Sequence, residues 1–298
     1  MAETRRAPRH SRAVPDAVAS GAAAGPAARF LLCPPEHFDT HFLYGYWTAY
    51  RPPVDKDRAW AQWRSLVRVM EEAGARLDYL EPSPDSGAHV FTADIGLVYA
   101  PGTALVLRND GPRGALEPPH FGAWCARNGF LTARLPPAHR LDGGNILRLH
   151  DGTYALGCKP GTDERTGREL AAYLRRTYGL SVAPVRLTDP AFLHLDLVLG
   201  RLGGRGYLVF PGGLDLDGAG AAGRRLYERE VITVDRDDAE HFACNMITLG
   251  DLVITGPISS RLKRRIARLG FWVERLPLTE FFRLGGGAKC LTMPLQPL

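Results

Sequence analysis

Apolar positions along this chain fall into one pattern, written five times. A stretch with apolar residues three and four apart is followed by a short alternating run, then by a polar residue, then by two short apolar runs around a turn. Spacing of three and four marks one face of a helix, and alternation marks a strand with one buried face. In the first unit, Trp60, Trp63, Leu66, Val67 and Met70 predict a helix over 57–75, with Gly74 near its end. Residues 76–80 predict a strand. Asp94 then opens a hairpin of 95–99 and 104–107 around Pro101-Gly102.

The next three units repeat this order. The second has a helix over 121–128, a strand over 130–135, then Asn145 and a hairpin of 146–149 and 154–157. The third has a helix over 163–178, a strand over 181–187, then Asp196 and a hairpin of 197–199 and 207–210. The fourth has a helix over 220–229, a strand over 231–234, then Asn245 and a hairpin of 246–249 and 252–255. The fifth has a helix over 259–269 and a strand over 271–276, then Gly285-Gly286-Gly287 and Cys290. Its missing hairpin strand is supplied by the apolar run 30–33, which would close a ring.

The residues opening the hairpins are Asp94, Asn145, Asp196, Asn245 and Cys290, separated by 51, 51, 49 and 45 positions. Self-similarity at a near-fixed period implies stacked or radial units. Equivalent positions of a closed radial array meet on its axis. Carboxylates, amides and a thiol are costly to bury there without partners, so a central polar cleft is expected. The plainer alternative is a doubly wound α/β sheet whose hairpins merely look alike.

Composition narrows the class. The chain has 298 residues, 45% hydrophobic and 23% charged, ordinary for a soluble globular protein. No apolar run reaches 18 residues, so no membrane span is expected. Residues 1–28 are rich in Ala, Arg and Pro without periodicity and read as a disordered tail, which leaves 29–298 as a single catalytic domain. No apolar stretch of secretory type follows the arginines. Arg5, Arg6, Arg9, Arg12 and Arg29 against Glu3 and Asp16 account for most of the +5 net charge. With no basic stripe interleaved with aromatics, nucleic acid is not an expected partner. Cys33, Cys125, Cys158, Cys244 and Cys290 are odd in number and none stand at C-x-x-C spacing. That argues against disulfides and zinc and for reduced thiols in a cytoplasmic protein. No Rossmann or P-loop fingerprint is present, so no nucleotide cofactor is expected.

Three places carry candidate chemistry. Cys290 follows a glycine turn that lets the backbone approach a ligand closely, and a thiol there is placed to face a cleft. Read as a strand, His194-Leu195-Asp196 puts the histidine and the aspartate on one face. Taken singly, a histidine in an apolar run is most simply structural and a lone cysteine is core filler. Together on the face that the repeat turns inward, thiol, imidazole and carboxylate make the set used in nucleophilic thiol catalysis. A thiol peptidase or amidase would use the same set. The extra carboxylates Asp94 and Asp142 point to a cationic substrate instead. Asp142 precedes Gly143-Gly144, which is either an ordinary turn or a carboxylate left uncrowded beside a closely approaching backbone. Asp94 is either a hairpin cap or a cleft carboxylate.

Leu141-Asp142-Gly143-Gly144-Asn145, His194-Leu195-Asp196 and the ending 286–295 resemble three signatures of the guanidine-modifying superfamily, which includes arginine deiminase, dimethylargininase and the amidinotransferases. Phe91-Thr92-Ala93-Asp94 resembles its fourth, and the resemblance runs from about Leu31 to Leu298. It implies a five-bladed α/β propeller and a small guanidino substrate, without metal or other cofactor. It also implies roles: Cys290 attacks the guanidinium carbon, and His194 protonates the departing amine and then deprotonates water. Asp142 supports that chemistry, while Asp94 and Asp196 grip guanidinium nitrogens. A homodimer is the default assembly.

The pattern departs from the family in three places. Asp142 stands where the deiminases have Glu, as it does in amidinotransferases. Asn145 stands where the motif ends in Asp, so it offers guanidinium N–H groups an amide oxygen without a charge. After Leu32-Cys33-Pro34-Pro35-Glu36-His37-Phe38, the segment Gly45-Tyr46-Trp47 replaces Asn-Pro-Trp, removing an expected substrate-binding asparagine. The expected activity is hydrolysis of the guanidino group of arginine or an arginine derivative. An amidinotransferase is the second reading and a non-catalytic binding protein on the same scaffold the third. The compact length and the Lys289-Cys290-Leu291-Thr292-Met293-Pro294-Leu295 ending favour the hydrolase.

Overall fold

The repeat is built as five three-stranded sheets in the computed structural model, which describes residues 27–39, 53–108, 117–159 and 164–297. The first blade joins β1 (Arg29–Leu32) in parallel to β2 (Arg76–Tyr79) through helix α1 (Lys56–Glu72). Asp55 caps α1 by accepting the Arg58 N–H at 3.0 Å. The helix buries Ala59, Gln62, Trp63, Leu66 and Met70 as a single stripe. Gly74, at φ +82°, then turns the chain into β2. Gly129, Gly179 and Gly270 do the same after the next helices, each in the left-handed region that glycine alone enters cheaply.

The second blade is β3 (Gly96–Ala100), β4 (Thr103–Val106), α2 (Glu117–Arg127) and β5 (Leu131–Arg134). The third is β6 (Ile146–Arg148), β7 (Tyr154–Cys158), α3 (Glu164–Tyr178) and β8 (Val182–Arg186). The fourth is β9 (Leu199–Leu202), β10 (Gly206–Val209), α4 (Gly220–Leu226) and β11 (Glu230–Thr233). A short helix α5 (Arg236–Glu240) leads to the fifth blade of β12 (Ile247–Leu249), β13 (Leu252–Thr255), α6 (Ser260–Arg268) and β14 (Trp272–Arg275). After α7 (Thr279–Phe282), the last strand β15 (Met293–Pro294) pairs antiparallel with β1, Leu31 opposite Met293 and Phe30 opposite Pro294. The ring is therefore closed by the first and last strands, as the apolar run at 30–33 predicts.

Four blades begin with an antiparallel hairpin and the first makes its antiparallel pair from β1 and β15; in all five a helix brings the next strand in parallel, the connection a parallel pair requires. Middle strands such as β7 and β10 are buried along their whole length, while edge strands such as β5 and β14 are largely exposed. One apolar cluster lies between the first and second blades around Val98, Phe121 and Trp124. Another lies between the second and third around Leu105, Leu156 and Leu174, and the largest joins the remaining blades. The apolar cores thus sit between blades and leave the axis to the polar turns.

One local expectation is corrected. Residues 194–197 are not a strand: Leu195–Leu197 form a single 3-10 turn, and β9 begins only at Leu199. The backbone bonds locally, Leu197 N to His194 O at 3.2 Å and Val198 N to Leu195 O at 3.1 Å, so alternation of side chains does not apply. Thr92–Asp94 and Gly143–Asn145 are 3-10 turns of the same kind. The proposed tail lies outside the described residues up to position 26, as does Gly45-Tyr46-Trp47. Among the described residues, no helix is long and apolar enough to cross a membrane.

Candidate active site

The five turns are bonded to one another around the axis. Gly144 N donates to Asp94 Oδ1 at 3.1 Å, linking the second blade to the third. Leu195 N donates to Asn145 Oδ1 at 3.1 Å, linking the third to the fourth. Asn245 Nδ2 donates to the backbone oxygen of Asp196 at 3.4 Å. Asn245 Oδ1 in turn accepts from Gly287 N at 2.9 Å and Cys290 N at 3.1 Å. Ala93 N donates to Cys290 O at 3.1 Å and completes the circuit. The glycines permit this closeness. A methyl group on Gly143 would lie 1.9 Å from the Ala93 carbonyl oxygen, and one on Gly144 would lie 2.7 Å from His194 Nδ1. The backbone that Gly143 and Gly144 bring near belongs to the site itself.

In one part of the ring of turns, His194 stands between two carboxylates. Its Nδ1 is 3.5 Å from Asp94 Oδ1 and its Nε2 is 3.4 Å from Asp142 Oδ2. Lys159 Nζ donates to the same Asp142 oxygen at 2.9 Å. Burial disfavours a charged imidazole here, but Asp94 and Asp142 outweigh it and raise His194 to about 9. Burial also acts against the Asp142 carboxylate, yet His194 and Lys159 hold it well below the ordinary carboxylate range. Asp94 goes the other way: burial pushes it up to about 6 despite His194, with Asp196 and Asp142 adding like-charge repulsion.

In another part lies the thiol. Cys290 is 1% exposed, more enclosed than a thiol on a glycine turn was expected to be. Its Sγ accepts from Asn245 Nδ2 at 3.1 Å and donates to Asp196 at 3.7 Å. Asp196 has no exposed surface and receives Lys289 Nζ at 3.0 Å. Burial, then Asp196 and Asp94, push the Cys290 thiol well above its ordinary value, and Lys289 and Asn245 offset only part of this. These surroundings favour the protonated form of the Cys290 thiol, as Asp94 and Asp142 favour the charged form of the His194 imidazole. Cys33, Cys125, Cys158 and Cys244 are buried too, and burial takes the thiols of Cys33 and Cys125 to about 12.

All six residues singled out in the sequence stand at these turns. Asp94, Asp142, His194, Asp196 and Cys290 form one electrostatically connected group. Asn145 adjoins them, with its amide oxygen engaged by the Leu195 N–H. A cavity of about 230 Å³ opens beside Asp142 and Asn145, lined also by Arg140, Lys159 and Thr166. Three neighbours were not anticipated as site residues. Asn245 carried a signal, since it occupies the fourth repeat position, and Lys289 adjoins the cysteine in sequence. Lys159 carried none.

No protein-family model matches the chain. The bifunctional arginine dihydrolase/ornithine cyclodeaminase ArgZ of Synechocystis sp. is 32% identical over 267 residues, which is 89% of this chain but 37% of ArgZ. The crystal structure of an ArgZ N-terminal domain variant covalently bonded to a reaction intermediate superposes with a TM-score of 0.82 at 31% identity, covering 90% of this chain and 98% of that domain. The chain belongs to the guanidine-modifying enzyme superfamily. Its five blades are the propeller of that superfamily. Within the superfamily, the dimethylarginine dimethylaminohydrolase of Mycobacterium tuberculosis is 29% identical over 274 residues, 90% of this chain and 86% of that enzyme. The chain spans little more than a third of the length of ArgZ and matches its N-terminal domain.

Proposed function

We propose that this protein hydrolyses the guanidino group of arginine or a close arginine derivative through a covalent adduct on Cys290. The observation that carries the reading is the convergence on one ring of bonded turns of a thiol, an imidazole between two carboxylates, and a further buried carboxylate 3.7 Å from the thiol. A guanidinium is a delocalised cation and a poor electrophile. Planar carboxylates hold it at a fixed angle, and Asp94 and Asp196 take that role in this reading. The bound cation compensates the negative charges that keep the Cys290 thiol protonated, so binding favours the thiolate.

The thiolate then attacks the guanidinium carbon. The C–N bond to the leaving amine breaks as His194, charged in the resting site, gives that nitrogen its proton. Asp142 holds the imidazole in place, and Lys159 holds Asp142. The neutral imidazole next takes a proton from water, which attacks the amidino-thioether carbon. The C–S bond breaks, the thiolate is restored and a ureido product leaves. Asn145 serves in this reading as a tie between turns rather than as a ligand for the substrate.

Asp142, shared with amidinotransferases, supports the second reading, in which an amine resolves the adduct. Product analysis by mass spectrometry separates the two. Arginine, dimethylarginine and agmatine are each supplied with and without glycine or ornithine. The hydrolase reading expects a ureido product or its further hydrolysis product from arginine or dimethylarginine without acceptor. Amidino transfer appearing only with acceptor would replace it by the second reading.

A further inference from the structure

The polar repeat positions are not used alike. Asp94, Asn145 and Asn245 each spend a side-chain oxygen on an N–H of the next turn. Asp196 does not: its link to the next turn is made by its backbone oxygen. Its carboxylate is thereby left for the axis, in a residue with no exposed surface. A buried carboxylate without a counter-charge is costly. The cation it meets is Lys289, at 3.0 Å, the residue immediately before the thiol. If the guanidino reading above holds, on which this inference rests, the same carboxylate must also receive the substrate.

We infer that Lys289 is a resident cation of the guanidinium seat. Its ammonium holds Asp196 while the site is empty, and a substrate guanidinium takes that carboxylate only by exchanging places with it. The exchange leaves Asp196 with a cation in both states. The Lys289 side chain is 19% exposed while Asp196 is wholly enclosed, so the lysine is the member of the pair that meets solvent. The exchange runs toward substrate because a planar guanidinium grips a carboxylate with two N–H groups, whereas an ammonium meets it as a point charge. The arrangement also sets specificity. A neutral amide or urea that displaced Lys289 would leave Asp196 without a counter-ion, so the seat admits cations. The cost is an apparent affinity reduced by the fraction of molecules in which Asp196 is free of Lys289.

Two variants of the full chain test this with opposite signs. The probe is the guanidinium ion, at millimolar concentration and constant ionic strength. The readout is its protection of Cys290 from iodoacetamide, followed by peptide mass spectrometry. Lys289→Met removes the competitor, and half-protection should need about tenfold less guanidinium. Lys289→Arg places a bidentate competitor on Asp196, and half-protection should need about tenfold more. Weaker binding in both variants, or no change in either, would make Lys289 merely structural and overturn the inference. If the Met variant does not fold, the Arg variant decides alone, with unchanged or tighter binding counting against. A parent protein that guanidinium does not protect at all would sink the guanidino reading itself, whereas a protected parent with unmoved variants sinks only the role of Lys289.

Discussion

Asp94 Oδ1 accepts the Gly144 N–H at 3.1 Å and also lies 3.5 Å from His194 Nδ1, so a single oxygen both ties two turns and stabilises a charged imidazole. The sequence posed hairpin cap and cleft carboxylate as alternatives, and the side chain instead ties its turn to that of the next blade while lying against His194. The protonation states around it lead to a definite pH profile. The reactive form needs a thiolate on Cys290 together with a charged His194. Because the thiol lies well above its ordinary value and His194 near 9, that form is the minor arrangement of the state that has lost one proton. Raising the pH toward about 9 increases the population of that state, and raising it through about 6 ionises Asp94. We expect kcat/KM to climb steadily from pH 6 to about 9, more steeply below 6. A flat maximum between pH 6 and 8 would contradict these assignments. Legibility at this scale follows side-chain length. Asp94, Asp142, His194 and Cys290 were readable because short side chains act near their own turns. Lys159 and Lys289 act at the tips of four-carbon stems, and Lys289 meets a partner 93 positions away, which no local pattern reports.

The element that organises the site is a tight turn of three residues, not a strand or a helix. Its spacing was legible because each turn precedes a hairpin and recurs at nearly the same interval. Its conformation was not, because His194-Leu195-Asp196 alternates as a strand would while the carbonyls of His194 and Leu195 accept from the N–H groups three residues on. Asn245 shows the same limit: its position in the repeat was visible, but its three bonds to Gly287, Cys290 and the thiol depend on the ring being closed. The two glycines of the turn that opens the third blade, Gly143 and Gly144, give a paired test. Gly143→Ala drives a methyl against the Ala93 backbone oxygen, 1.9 Å away, and neither side can yield. Gly144→Ala meets His194 and Asp94 side-chain atoms at 2.7 and 2.9 Å, which can move. Gly143→Ala should therefore fail to fold or unfold at much lower temperature. Gly144→Ala should fold, with kcat reduced about 100-fold because His194 is displaced. Thermal unfolding together with steady-state kinetics checks both, and full activity in Gly144→Ala would remove His194 from the reacting group.

At the scale of the molecule, the thiol and its counterparts come from opposite parts of the chain, and closure brings them together. Leu295 N donates to Arg29 O at 2.8 Å, and Thr92 Oγ1 donates to Leu31 O at 2.8 Å, so the closing blade holds both the Cys290 turn and the Asp94 turn. Five-fold architecture and closure were legible because polar residues at a constant interval have one economical explanation, a shared axis. How tightly the axis is packed was not, and Cys290 is more enclosed than its glycine-rich surroundings suggested. The central claim is that this enclosed thiol is the nucleophile. It is tested most directly by mixing the protein with arginine or dimethylarginine, quenching with acid within the first turnovers, and locating any added mass by intact-protein and peptide mass spectrometry. The account predicts an amidino group on the peptide that contains Cys290, absent in Cys290→Ala, which should also show no turnover. Turnover that survives in Cys290→Ala, or an adduct on another residue, would contradict it.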